Sequence, residues 1–234
     1  MKYSTTAGTT TGIELQNVSR TYQVGETEVT ALHKVTLRVR DGEFLAVIGP
    51  SGSGKSTLLQ ILGLLDRPTS GMVTLDGQDL GSMGDAARTR LRLEVLGFIF
   101  QRFHLMRDLS AIENVALPME PMGLSARERY GRAAALLTEV GLGDRLEFRS
   151  ARLSGGQRQR VAIARALANH PRIILADEPT GELHSEDKAS VIELFRRFNR
   201  AGHTFIMVTH DLETAAAAHR KIELRDGRVR ELLS

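Results

Sequence analysis

The chain has 234 residues, 41% of them hydrophobic and 25% charged, with a formal net charge of +3, the balance of an ordinary globular protein. It contains no cysteine, which excludes disulfides, thiolate zinc sites and cysteine catalysis. No segment reaches the roughly 18 consecutive apolar residues of a membrane-spanning helix, so work at a membrane would require spans from another chain.

The opening MKYSTTAGTTTG has no apolar core, and residues 1–12 read as a disordered tail rather than a signal peptide. Residues 13–234 read as one domain. IELQNVSRTYQV and VTALHKVTLRV alternate apolar and polar side chains, which predicts two antiparallel strands joined at GETE. EFLAVIG (43–49) is a continuous apolar run, the mark of a strand buried on both faces. KSTLLQILGLL continues as a helix, and GMVTLDGQDL (71–80) turns as a hairpin through Asp76-Gly77. From 84 to 152 the character changes. DAARTRLRLEVLG and ARERYGRAAALLTEVGL are helical, GFIFQ is a short strand, and no buried parallel strand is expected in this stretch. Residues 102–155 therefore read as a helical subdomain inserted into an α/β core. QRQRVAIARALANH (157–170) predicts a helix, RIILADEP (172–179) a second doubly buried strand, and DKASVIELFRRFNRAG another helix. HTFIMVTH (203–210) is a third such strand, LETAAAAHR a helix, and KIELRDGRVRELL a closing hairpin through Asp226-Gly227.

Three stretches carry chemistry. Gly49-Pro50-Ser51-Gly52-Ser53-Gly54-Lys55-Ser56-Thr57 fits G-x-x-x-x-G-K-[ST] between a predicted strand and helix. The glycines let backbone N–H groups curl around phosphates, Lys55 reaches the β- and γ-phosphates, and Ser56 suits Mg²⁺. Asp177 and Glu178 end an apolar strand, where two adjacent carboxylates are costly unless a cation or water uses them. In a P-loop protein Asp177 is the expected Mg²⁺ partner and Glu178 the general base for the attacking water. Ser154, Gly155, Gly156 and Gln157 form LSGGQ at a second predicted helix start, an anion site of the same physical kind. Two such sites on one nucleotide are redundant. They make sense if the second faces a nucleotide held by another copy of the chain.

With these motifs in this order, followed by VTHD, the chain resembles the ATP-binding subunit of an ABC transporter from about residue 13 onward. The resemblance implies a RecA-like P-loop NTPase core with an N-terminal antiparallel β subdomain and an inserted α-helical subdomain. It implies ATP and Mg²⁺ as cofactors, Tyr22 stacking on the adenine, and Gln101 touching both Mg²⁺ and the water. His210 would contact the γ-phosphate. TYQVGETEVTALHKVTL, GFIFQRFHLMRDLSAIENVALPM and RVAIARALANHPRIILADEPTGEL are most similar to the lipoprotein-releasing (LolD) and macrolide-exporter (MacB) ATPases, with the cell-division ATPase FtsE nearby. The implied partners are a second copy, packed head to tail around two Mg-ATP, and an integral membrane permease with an extracytoplasmic domain. That places the protein at the cytoplasmic face of a bacterial inner membrane, as a peripheral subunit. Phe103, Leu105 and Met106 suit either the permease contact or the subdomain core. An FtsE-like signalling ATPase that moves no cargo is the alternative. Nucleic acid is not an expected partner, because the chain has neither a long coiled coil nor a second ATPase domain. One departure stands out: the family's usual T-G-N-L-D reads Thr180-Gly181-Glu182-Leu183-His184, so histidine replaces the aspartate that communicates across the dimer.

Overall fold

The computed structural model describes residues 12–232. Two long strands, β1 (Gly12–Val24) and β2 (Thr27–Arg40), pair antiparallel across the two-residue turn Gly25-Glu26. Gly12, expected in the tail, instead opens β1 opposite Arg40, and residues 1–11 of that tail lie outside the described part. β4 (Ser70–Leu75) and β5 (Gln78–Asp79), joined at Asp76-Gly77, extend this sheet in the order β2-β1-β4-β5.

The second sheet has six strands, ordered β10-β9-β3-β8-β7-β6. β3 (Phe44–Ile48), β7 (Ile173–Asp177) and β8 (Thr204–Thr209) are the three apolar runs, lying parallel at its centre. β9 (Arg220–Arg225) joins parallel to β3, and β10 (Arg228–Glu231) folds back on β9 through Asp226-Gly227. β6 (Leu96–Ile99) pairs parallel with β7 and overturns the expectation of no such strand between 84 and 152. It is only four residues long and carries Gly97, so it shows neither the length nor the β-branched run of a buried strand. A Cβ at Gly97 would meet the Ala166 carbonyl, which explains the small residue at the crossing.

Alternation sorts the central strands between two cores. Leu45 and Val47 of β3, with Ile206 and Val208 of β8, face a core shared with the first sheet. Helix α1 (Lys55–Leu62) enters that same core through Leu58, Leu59, Ile61 and Leu62. Phe44, Ala46, Phe205 and Met207 face the other way, onto a core built with the helices. Each buried leucine, isoleucine, valine, phenylalanine or methionine among them contributes about 1.5–3 kcal/mol. Arg172, at the start of β7, bonds to both Asp41 and Asp76 and so clasps the two sheets together.

The remaining helices are α2 (Asp85–Glu94), α3 (Ala111–Ala116), α4 (Ala126–Glu139), α5 (Gly155–Ala166) and α6 (Ser185–Arg200). Between β6 and α5 there is no strand pairing beyond one isolated bridge, Ser110 to Arg149, among the described residues. α3 and α4 each start with a Ser–Glu capping box, Ser110 with Glu113 and Ser125 with Glu128. α5 starts inside LSGGQ rather than after it and stops at Ala166, short of the predicted His170. α7 is only Leu212–Ala215; the alanines that follow turn instead, because the chain must reach β9 at Arg220.

Candidate functional site

β3 delivers the chain to the glycine-rich loop, and α1 leaves it. Gly54 sits just before α1 with φ 103°, a conformation reserved for glycine, and a Cβ there would run into the Ala31 carbonyl. No side chain caps this helix start. Lys55 is 9% exposed, and its Nζ donates to the Gly49 and Pro50 carbonyls at 2.8 Å each. Its charge is thus held inside the loop. The Ser53 hydroxyl is buried there without a partner.

A cleft of about 750 Å³ opens over this start. Ser51, Gly52, Gly54, Lys55, Ser56 and Thr57 form one wall, and Gln101, Asp177, Glu178 and His210 form another. Gly49 and Ser53 lie behind the loop surface and do not line it. Asp177 ends β7 and bonds the Ser56 hydroxyl. Its pKa is raised, first by burial and then by the neighbouring Glu178 charge, against the opposing pull of Lys55 and Ser56. A half-buried carboxylate that is costly to ionise is suited to a cation. Ser56, Asp177 and the Gln101 amide supply hard oxygen donors of the sort Mg²⁺ takes. No group of three or more His, Asp or Glu side chains that could hold a metal ion occurs among the described residues, and a cation shared with phosphates does not need one.

Glu178 has φ 44°, an outlier for a non-glycine residue. Its carboxylate is fixed at several points. The Thr209 hydroxyl donates at 2.9 Å, the His210 N–H at 3.0 Å, and His210 Nδ1 lies 2.8 Å away. Glu178 and His210, both chosen from sequence, thus meet directly; Thr209, which orients the carboxylate, was not foreseen. Its only signal was its place beside His210 at the end of β8. Behind it runs a short chain of polar contacts. Thr209 Oγ1 accepts from the Asp211 N–H, the Thr214 hydroxyl donates to Asp211, and Thr180 meets Thr214 at 2.9 Å. Asp211 also pairs with Lys188 at 3.0 Å. Burial pushes the Asp211 pKa up, but Lys188, the Thr214 hydroxyl and the Thr214 and Glu213 amides outweigh it and hold the group below its ordinary value.

Two expected groups stand outside the cleft. Tyr22 donates its hydroxyl to Asp66 at 2.8 Å, and the Arg20 guanidinium covers its ring at 4.4 Å. It does not line the cleft. Ser154, Gly155, Gly156 and Gln157 also lie away from it. Ser154 caps α5 by accepting from the Gln157 N–H, while Gln157 Oε1 accepts from the Ser154 N–H, a reciprocal box. Phe103 is buried with Arg158 over its ring, Leu105 packs half-buried on the core, and Met106 remains exposed. A second, mainly apolar cleft of about 390 Å³ lies beside them, lined by Leu65, Leu93, Phe98, Phe100, His104 and Pro118 among others.

Comparison with known proteins decides the family. The family profile described as ABC transporter matches residues 32–181. An uncharacterized ABC transporter ATP-binding protein of Thermotoga maritima is 51% identical over 217 residues, 93% of this chain and 93% of its own length. The chain belongs to the ABC transporter family. This ABC ATPase is also 50% identical, over 94% of its residues, to the macrolide export ATP-binding/permease protein MacB 2 of Aeromonas hydrophila. It spans only 34% of that relative's length. Among solved structures, the dimeric post-hydrolysis state of the ATP-binding cassette MJ0796 with ADP and Pi matches at TM-score 0.87 and 42% identity, covering 95% of this chain and 99% of that one. The cassette is therefore a P-loop ATPase that binds and hydrolyses ATP. No helix among its described residues is long and apolar enough to cross a membrane.

Proposed function

We propose that this cassette is the ATP-hydrolysing subunit of a MacB/LolD-type transporter. Two copies would close head to tail around two Mg-ATP and drive a membrane permease with an extracytoplasmic domain, from the cytoplasmic face of the inner membrane. One observation carries the reading: the α1 start is uncapped and faces Glu178 and His210 across one cleft, while the SGG start of the same chain stands outside it.

In this reading Lys55 swings from the Gly49 and Pro50 carbonyls to the β- and γ-phosphates and, with the loop N–H groups, holds the triphosphate. Tyr22, freed from Asp66, stacks on the adenine. Ser56, Asp177 and Gln101 would hold Mg²⁺, which offsets charge on the phosphates. Glu178 takes a proton from the attacking water, and its bonds to Thr209 and His210 fix the carboxylate's direction. His210, with 69% of its side chain exposed, has room to reach the γ-phosphate. Ser154 and the Gly155–Gly156 amides meet the triphosphate held by the other copy.

Residues 102–155 form the arm on which a permease acts. The apolar cleft at Phe98, Phe100 and His104 begins one residue from Gln101, so a permease segment seated there would sense the ATP cleft directly. Of the residues that suit either the permease contact or the core, Phe103 is buried in the core and Leu105 packs half-buried on it, so neither lines this cleft.

Glu178→Gln keeps the bonds from Thr209 and the His210 N–H but removes the base. Turnover should fall on the order of 100-fold or more while the Mg-ATP dimer accumulates by size exclusion. Near wild-type turnover would reject the role of Glu178, and a strictly monomeric variant, alone and with its permease, would reject the sandwich.

A further inference from the structure

Gln159 is completely buried one turn into α5. Its Nε2 donates to the Pro179 carbonyl at 2.6 Å, and its Oε1 has no partner. Pro179 follows Glu178 directly and sits inside a turn closed by the Gly181 N–H on the Glu178 carbonyl at 3.0 Å. Gln159 therefore grips the turn that sets the direction of Glu178.

The same helix face carries the signature glycines, because Gly155 and Gly156 stand four and three residues before Gln159. All three meet the segment that follows Glu178. Gly155 lies against Glu182 and Leu183, and a Cβ on Gly156 would collide with the Asp187 carboxylate. Farther along α5, Arg160 bonds the Ser190 hydroxyl at 2.7 Å. The close approach that these glycines permit brings Gln159 within reach of Pro179.

We propose that Gln159 is a positioning residue that couples the two ATP centres: it transmits movement of the SGG helix start to the Glu178 turn of its own chain. The inference rests on the head-to-tail reading, in which SGG and Glu178 of one chain serve opposite nucleotides. When ATP draws the SGG start toward the other copy, α5 moves with it, and the bond to Pro179 carries that movement to the base. A buried acceptor without a partner is costly; methionine would fill the same space and remove the unpaired Oε1, but leave the Pro179 carbonyl unpaired in its place. The glutamine's Nε2 bond is what methionine cannot supply.

The test is Gln159→Met in the full chain, measured for unfolding temperature, nucleotide affinity and steady-state hydrolysis. Stability should change little, because the loss of the orphaned Gln159 oxygen offsets the Pro179 carbonyl left without its donor. Nucleotide affinity should stay within about twofold, while kcat falls on the order of tenfold and the Hill coefficient for ATP drops to 1. Wild-type kcat and Hill coefficient in the variant would overturn the proposal. So would a loss of turnover that appears only together with a lower unfolding temperature, since packing alone would explain it. Size exclusion of Glu178→Gln with Gln159 intact separates the two claims: a dimer beside wild-type behaviour of Gln159→Met rejects the coupling alone, whereas no dimer rejects both.

Discussion

The starts of α1 and α5 are built from similar sequence, Ser-Gly-Ser-Gly and Ser-Gly-Gly, and both point free N–H groups out of a helix. At α1 the preceding residue is a glycine in a left-handed conformation and nothing from the chain closes the end. At α5 the Ser154–Gln157 box closes it. The α1 start also has Lys55 buried beneath it and a walled cleft above it, whereas the α5 start has neither. A helix start left bare inside its own cleft offers its N–H groups to a ligand without help from a second copy. A capped start on the outside is stable by itself and gains a second use only from something another molecule brings.

The largest effect should come from the bare start. Lys55→Met removes the ammonium without changing the loop glycines. Mg-ATP affinity of the single chain should fall on the order of 100-fold, as expected when charge-assisted bonds to phosphate are lost. Equilibrium titration with a fluorescent nucleotide reads this directly. Ser154→Ala should behave differently. Loss of a cap costs about 1 kcal/mol, a shift of about 2–4 °C in unfolding temperature for a chain of this size. Nucleotide binding by the single chain should not change, while turnover of the assembled pair should fall. If Ser154→Ala weakened single-chain binding as much as Lys55→Met, the contrast between the two starts would be broken.

What could be foreseen in the sequence follows the same division. The α1 start was legible because strand, loop and helix are contiguous: EFLAVIG, GPSGSGKST and KSTLLQILGLL state it in order. The turns at Asp76-Gly77 and Asp226-Gly227 were legible for the same local reason. β6 was legible only in part: GFIFQ reads as a short strand, but its place in the parallel sheet does not show. That place comes from pairing with β7, more than seventy residues away, and four residues with a glycine show no period of their own. The bond between Glu178 and His210, and the chain of contacts through Thr209, Asp211, Thr214 and Thr180, likewise depend on β7 and β8 lying side by side. Tyr22 carries its expected role from the family resemblance alone; in the structure its hydroxyl and ring are engaged by Asp66 and Arg20.

The charge beside the bare start should be visible in stability as a function of pH. The folded Asp177 pKa is raised above its unfolded value, so the folded state holds the proton more tightly in the window between them. Its contribution to stability therefore falls as pH rises from about 4. Asp177→Asn removes the charge, so the variant without nucleotide should unfold at a higher temperature than the wild type, by a margin that widens with pH through that window. Mg-ATP should reverse the order, because it stabilises the wild type selectively. A margin that stays constant with pH would show that the Asp177 carboxylate pays no burial cost.

The smallest expected effect concerns a third helix start, that of α6. His184 occupies the position just before it, exposed and making no side-chain capping bond. His184→Asp supplies an acceptor for the first-turn N–H groups and a charge that suits the helix dipole, together worth about 0.5–1 kcal/mol. Glu186 and Asp187 already place two carboxylates in that first turn, so their repulsion trims the gain. The kinetic outcome is the sharper discriminator. If His184 loosens communication between the two ATP centres, the aspartate variant should hydrolyse ATP faster or with a higher Hill coefficient, beyond what a small rise in stability explains. Unchanged kinetics with a raised unfolding temperature would make α6 a third start whose capping matters only to its own helix. Faster, more cooperative turnover would instead place it with α5, as a start whose use depends on a second copy.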